Sequence, residues 1–413
     1  MRARFRLAGI LLVGTGITSA CGDVSAALKY VQVDTLPGGI PRTLTSQPID
    51  SGRWQLVLAR DIQPPELDSA ELLEPRDVAI ADDGSVLVVD ARPTLIKVYD
   101  PNGRHVRSIG REGSGPGEFR AAYIAVRGDT LVVQDPQNSR ATTFDWRTGA
   151  MLSERRTACC YFSPIGIDGD GRAVVRSINQ PTDSTLRNAQ GFVRFSINAR
   201  TADTIFVLER QDAVAGKPWL IRENVGGRTL TRMAVGVPLQ PRAHYAVDPT
   251  GGFVTGWSAD YVLRVTRSGR DTVALFGREY AAEPVSNAEK QRIVEQRIAE
   301  MREGNRNGPS EEALRASFDA ALIPDTRPAY DVFAIDAAGR RWVRLAPTDT
   351  NTVRFDLFDR EGRWLDVVQV SQSGWPRTVY AAAAWGRNEV AVILEGEDGR
   401  PLVRVYRIVR ASE

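Results

Sequence analysis

Side chains on which metal and redox chemistry depend are scarce in this chain: among 413 residues there are two histidines, three cysteines and four methionines. His105 and His244 alone exclude a zinc site built on three histidines. Lysine occurs only at 29, 97, 217 and 290, so nearly all positive charge is arginine. No dense basic run interleaved with aromatics marks a nucleic-acid surface. No Gly-x-Ser-x-Gly elbow offers a hydrolytic serine, and no Gly-Lys-Ser/Thr follows a glycine-rich loop to cradle phosphate. The apolar run from Leu7 to Ile17 is too short to span a bilayer comfortably.

That run follows Arg2, Arg4 and Arg6, which makes residues 1–20 an export signal. It ends in Thr18-Ser19-Ala20-Cys21, which resembles a bacterial lipobox, where the cysteine thiol takes a diacylglyceryl group and becomes the mature N-terminus. Plain secretory cleavage after Ala20 is the alternative. Lipidation of Cys21 leaves the adjacent pair Cys159 and Cys160, either a vicinal disulfide or two buried thiols. The chain carries a formal charge of +2; residues 1–20 hold three arginines and no acid, so the remainder stands at −1. A near-neutral body has no global attraction to nucleic acid or to an anionic membrane, and any membrane contact is expected through the lipid anchor.

Residues 21–50, rich in Thr, Pro, Gly and Ser and broken by Pro37-Gly38-Gly39 and Pro41, read as a tether with at most one short strand. From 51 to 413 one phrase recurs six times: an apolar strand, a Gly or Asp turn, a second, often Val-rich strand, and alternating strands after it. The fullest copy runs Asp77-Val78-Ala79-Ile80, Val86-Leu87-Val88-Val89, Leu95-Ile96-Lys97-Val98-Tyr99 and Val106-Arg107-Ser108-Ile109. A four-stranded sheet hides its faces only when neighbouring sheets stack on it, so the repetition predicts an all-β, six-bladed propeller. The last copy has three strands, and the isolated strand at Trp54 is the one expected to complete it and close the ring. Between copies four and five, residues 285–323 change texture. Ser286 with Glu289 forms a capping box before the stripe Ile293, Val294, Ile298 and Met301, and Ser310 starts a second stripe through Leu314, Phe318, Ala321 and Leu322. A helical hairpin is expected there, packing on the propeller or serving as a lid.

Pro75-Arg76-Asp77-Val78-Ala79-Ile80, Gly84, Val88-Val89-Asp90, Ile96-Lys97-Val98-Tyr99-Asp100 and Gly113-Ser114-Gly115-Pro116-Gly117-Glu118-Phe119 resemble an NHL-type repeat with its linker to the next blade. The rest of the chain, over most of residues 50–410, resembles the bacterial six-bladed propeller lipoproteins and exported proteins of that superfamily. The resemblance implies location in the periplasm or at the cell surface. It also covers gluconolactonase-like enzymes and amidating lyases, which hold a divalent metal on the axis with Glu, Asn, Asp or His, but those ligand sets do not map onto this chain.

Local motifs give no catalytic residue, metal ligand or cofactor. Asp168-Gly169-Asp170-Gly171 resembles the start of a calcium loop, but the strand Ala173-Val174-Val175 follows and no bidentate Glu stands in register, so a hairpin turn is expected. Propellers present ligands at the mouth built from connections between blades. By position alone the ligand-binding candidates are Arg76, Asp77, Tyr123, His244, Tyr245, Tyr330 and Asp331, where inner strands begin. The competing reading has the Asp and Arg residues tying blades together and the tyrosines filling the channel edge. Two functions remain: a non-catalytic binding propeller for a peptide, glycan or protein partner, or a metal-assisted hydrolase or lyase of the lactonase kind.

Overall fold

In a computed structural model the described residues are 29–411, apart from 67, 158–164, 178–188, 197–201, 209–215, 226–227, 304–307, 349–350 and 377–382. The export signal, Cys21, Cys159 and Cys160 lie outside them. The six repeats form six antiparallel sheets in chain order, with inner strands Pro75–Ile80, Tyr123–Arg127, Ile165–Ile167, Ala243–Val247, Val332–Ile335 and Ala383–Trp385. These sheets are blades 1 to 6. Period-two alternation sends one set of side chains into each seam. Between blades 1 and 2, Leu87, Val89, Ile96 and Val98 meet Ile124, Leu131, Val133 and Phe144 in one buried cluster. Burying a side chain of this size contributes about 1.5–3 kcal/mol, so each seam is a core in its own right.

The ring closes as the orphan strand required. Trp54–Ile62 pairs antiparallel with Pro401–Arg410 as the fourth strand of blade 6, from Trp54 opposite Arg410 to Ile62 opposite Val403. Two arginine forks reinforce the splice: Arg404 meets Asp61 at 2.6 and 2.8 Å, and Arg410 meets Asp50 at 2.9 Å through both nitrogens.

The tether expected over residues 21–50 is corrected within its described part. Val31–Leu36 and Ile40–Thr45 form a hairpin, and the second of these strands runs parallel to Ala274–Arg278, making blade 4 six-stranded. Pro37-Gly38-Gly39 is the hairpin's turn, because Gly38 and Gly39 adopt positive φ of 88° and 75° and the Gly39 N–H reaches the Leu36 carbonyl at 3.1 Å. The chain then crosses to the outer strand of blade 5, where the Ile49 and Asp50 N–H groups bond the Trp364 and Leu365 carbonyls at 3.0 and 2.8 Å. Residues 31–62 thus strap blades 4, 5 and 6 in succession.

Two insertions flank blade 4. Trp219–Val225 and Arg228–Val235 form a hairpin before it, and helices α1 (Asn287–Arg302) and α2 (Glu311–Ser317) follow it. Both expected caps are present, with Ser286 Oγ accepting from the Glu289 N–H and Ser310 Oγ from the Ala313 N–H, each at 3.2 Å. The helical stripes pack chiefly against the hairpin: Trp219 stacks on Phe318 at 4.4 Å over a cluster that includes Ile221, Val237, Val294, Ile298 and Leu314. Both insertions precede inner strands, so this satellite core stands at the end of the ring where inner strands begin.

Candidate functional site

The six inner strands are each hydrogen-bonded on one side only, so their other edges face the axis. They enclose a channel of about 540 Å³ with side chains from every blade in its wall, within the ~300–1,000 Å³ range of small-molecule sites. Small residues stand in its wall at Ala79, Ala125, Gly166 and Ala384, and strand edges with charged side chains make most of its surface polar. A second cleft, of about 240 Å³, lies on blade 4 beside Tyr245, Thr255, Arg264 and Leu275, which are cross-strand neighbours in register.

The candidates named from position divide among three seams. Arg76, Asp77 and Tyr123 meet where blade 1 joins blade 2. Asp77 is 8% exposed, and its carboxylate accepts from the Val78 N–H at 3.0 Å and from the Ile124 N–H of the next blade at 2.8 Å. Burial outweighs those two donors and pushes its carboxyl up to about 7. Arg76 is exposed and pairs with Glu74. Tyr123 is half-buried beside them, and its hydroxyl is raised first by burial and then by the Asp77 charge.

His244, Tyr330 and Asp331 meet where blade 4 joins blade 5. The His244 ring lies 5.6 Å from Tyr330 and 6.3 Å from Phe333, and desolvation lowers its pKa to about 4 against the opposing pull of Asp331. Asp331 is held by Arg344 Nε at 2.9 Å. Tyr245, one residue on, points to the other face of the strand, where its ring meets Phe192 of blade 3 at 5.8 Å. The Tyr330 hydroxyl is fully buried without a hydrogen-bond partner. An orphaned buried hydroxyl costs roughly 1–3 kcal/mol, so Tyr330→Phe is expected to raise the free energy of unfolding by about 1 kcal/mol or more in urea titration.

Aspartates near the axis are committed to turns. Asp168 Oδ1 accepts from the Asp170 and Arg172 N–H groups at 3.0 and 2.9 Å, and Asp336 Oδ1 does the same for Ala338 and Arg340, both at 2.9 Å. Each also binds the arginine that closes its turn, at 2.9 Å for Arg172 and 2.6 Å for Arg340. The same Asp-x-x-Gly-Arg phrase recurs at Asp100 to Arg104 and Asp359 to Arg363, with the same ion pair. Asp168-Gly169-Asp170-Gly171 is therefore the expected hairpin turn, and four arginines close turns of this kind. Among the described residues no three His, Cys, Asp or Glu side chains converge as a metal-ligand set.

Position-based reasoning missed the far mouth of the channel, where inner strands end. Arg127, Arg360 and Arg387 line it, with Asp82. Arg127 occupies the place that Asp168, Asp248 and Asp336 hold in blades 3, 4 and 5, so aligning the repeats on their first turns was a signal that could have found it. Its guanidinium spans to the turns of blades 3 and 4, donating to the Asp168 carbonyl, to Gly169 at 3.0 Å and to Pro249 at 3.4 Å.

Residues 67–171, which hold blades 1 and 2 and the start of blade 3, match the model of the family described as 6-bladed beta-propeller, DUF5128. Curated proteins yield no match. Among solved structures, a member of the DUF4221 family from Bacteroides vulgatus is similar at 12% identity and a TM-score of 0.52, over 88% of this chain and 100% of that one. A Bacteroides fragilis protein described as exported is similar at 10% identity and a TM-score of 0.47, over 89% and 99%. Virginiamycin B lyase from Staphylococcus aureus is similar at 11% identity and a TM-score of 0.39, over 86% and 99%. The chain is a six-bladed β-propeller, closed through its N-terminal strand, whose first two blades carry the match to the 6-bladed beta-propeller family.

Proposed function

We propose that this protein is a non-catalytic binding propeller of the cell envelope that takes a peptide, glycan or protein partner at its blade-connecting loops and axial channel. One observation carries the reading: a channel bounded by all six blades is open, while Asp168 and Asp336 beside it are engaged in capping turns and Asp77 in joining a seam. Carboxylates held by backbone donors and an arginine, as Asp168 and Asp336 are, make poor general bases, and this weighs against the lactonase-like alternative. Export and lipid anchoring belong to the same proposal and rest on the signal over residues 1–20 and on Cys21. Mass spectrometry of the mature N-terminus should find a diacylglyceryl-modified Cys21, and an unmodified N-terminus at Cys21 would remove the anchor from the reading.

Binding through the loops is tested in cells with a photo-crosslinking amino acid placed at Ala338, on the channel mouth, and at the exposed outer-strand residue Leu152 as control. A discrete adduct at Ala338 and none at Leu152 is expected. Adducts at neither position, or equal adducts at both, would overturn it.

A further inference from the structure

Around the far mouth most charged side chains are paired within or between turns, and two arginines of the channel wall are not. Arginines of these turns pair with their acids: Arg172 with Asp168 and Asp170, Arg340 with Asp336, Arg363 with Asp359 and Glu361, and Arg147 with both Asp83 and Asp129. Arg127 spends its guanidinium on backbone carbonyls, which leave its charge uncompensated. Arg360 and Arg387 are exposed and make no ion pair with a carboxylate among the described residues. Among the described residues the acids of the wall are Asp82 at this mouth and Asp77 at the other end of the same blade's inner strand.

Both free arginines are aimed by the fold. Arg360 projects from the outer hairpin of blade 5 across Gly339, where an added Cβ would lie 2.9 to 3.1 Å from the arginine's Nε, Cγ and Cδ. Gly339 has φ of +82°, and its missing side chain is the gap through which the Arg360 stem reaches the channel. Arg387 follows the inner strand of blade 6, and its carbonyl accepts from Arg340 of blade 5 at 2.5 Å, which fixes the backbone beside the mouth. Below this collar small residues such as Ala79, Ala125 and Ala384 leave room along the wall, and the unpaired edges of six strands supply backbone donors and acceptors.

We infer that the far mouth is a carboxylate-binding collar, in which Arg360 and Arg387 hold the carboxylate of a ligand whose uncharged remainder enters the channel. The planar guanidinium fork matches a carboxylate in two parallel hydrogen bonds, and Arg127 supplies further positive potential without leaving its carbonyls. The carboxylate belongs either to a small free acid or to the C-terminus of an extended chain, whose peptide groups find partners on the strand edges. This inference deepens the binding function proposed above and rests on it.

Isothermal titration at physiological ionic strength tests it on the purified mature protein, with butyrate, with N-acetyl-trialanine as its free acid and with N-acetyl-trialanine amide. Saturable binding of at least one carboxylate probe is expected, with the amide at least tenfold weaker than the acid if the chain end is the ligand. The double variant Arg360→Gln/Arg387→Gln is expected to lose at least tenfold in affinity for that probe. Both side chains are exposed and unpaired, so its circular dichroism and unfolding midpoint should match wild type. Absence of saturable binding by either carboxylate, or equal affinities in wild type and a folded double variant, overturns the collar. Crosslinking at Ala338 would stand in that case, so the two readings fail separately.

Discussion

Replacing Arg278 by leucine is expected to cost about 3–5 kcal/mol of stability, the largest single effect we foresee, because it strands a charge inside the ring. Arg278 ends the fourth strand of blade 4 and bonds Asp356 of blade 5 through Nε at 2.6 Å, and the Tyr261 hydroxyl donates to the same carboxylate. Asp356 is 0% exposed, and its Oδ1 has no partner. Burial pushes its carboxyl up while Arg278 draws it down. The guanidinium also lies 4.5 Å over the Tyr261 ring and 4.7 Å over that of Trp364, so the arginine joins charge to an aromatic seam. Urea unfolding should show the midpoint falling without a change in slope. The double variant Arg278→Leu/Asp356→Leu is expected to recover part of the loss, since it removes the buried charge together with its partner. A single variant within 1 kcal/mol of wild type would show that the pair is not a seam anchor.

The second large effect concerns pH, where two buried groups act in opposite directions. Asp77 holds its proton up to about 7 in the folded chain, whereas an unfolded aspartate releases it near 4. Between those values the folded state binds the extra proton, so Asp77 contributes stability at acid pH that is lost as pH rises toward 7, up to about 4 kcal/mol. His244 titrates at about 4 in the folded chain against about 6.5 unfolded. Here the unfolded state takes the proton first, and stability present above pH 6.5 is lost on acidification, by about 3 kcal/mol. The two slopes oppose each other from pH 4.5 to 6.5. Asp77→Asn should therefore lose stability relative to wild type as pH falls through that window, and His244→Phe should gain it. Reading each variant against wild type isolates one group from Asp356 and Asp359, whose carboxyls burial also raises. A difference curve flat with pH for either variant would refute its assignment.

Legibility in the sequence tracked the distance over which each feature is decided. Turn and cap chemistry spans four or five residues, so Asp168 to Arg172, Ser286 with Glu289, and Ser310 stood in plain view. Strand alternation and the repeat made the six blades legible, and the missing strand of the last copy made the Trp54 splice legible too. The Pro37-Gly38-Gly39 segment was misread as a break because a turn and a break share composition. Only a partner strand at Ala274–Arg278, more than two hundred residues on, distinguishes them. Sorting His244 from Tyr245 required knowing which blade each face of that strand meets.

What the sequence by itself determined is the number of blades, the way the ring closes and the place of the helical insertion. These follow from local periodicity and from the need of each sheet to bury its faces. Tertiary structure alone decided that Asp77 bonds a strand 47 positions away, that Arg278 reaches Asp356 across 78, and that Arg127, Arg360 and Arg387 share one mouth. Net charge at a site is a sum over side chains that closure of the ring brings together. No stretch of the chain contains that sum, because Arg127, Arg360 and Arg387 stand on blades 2, 5 and 6.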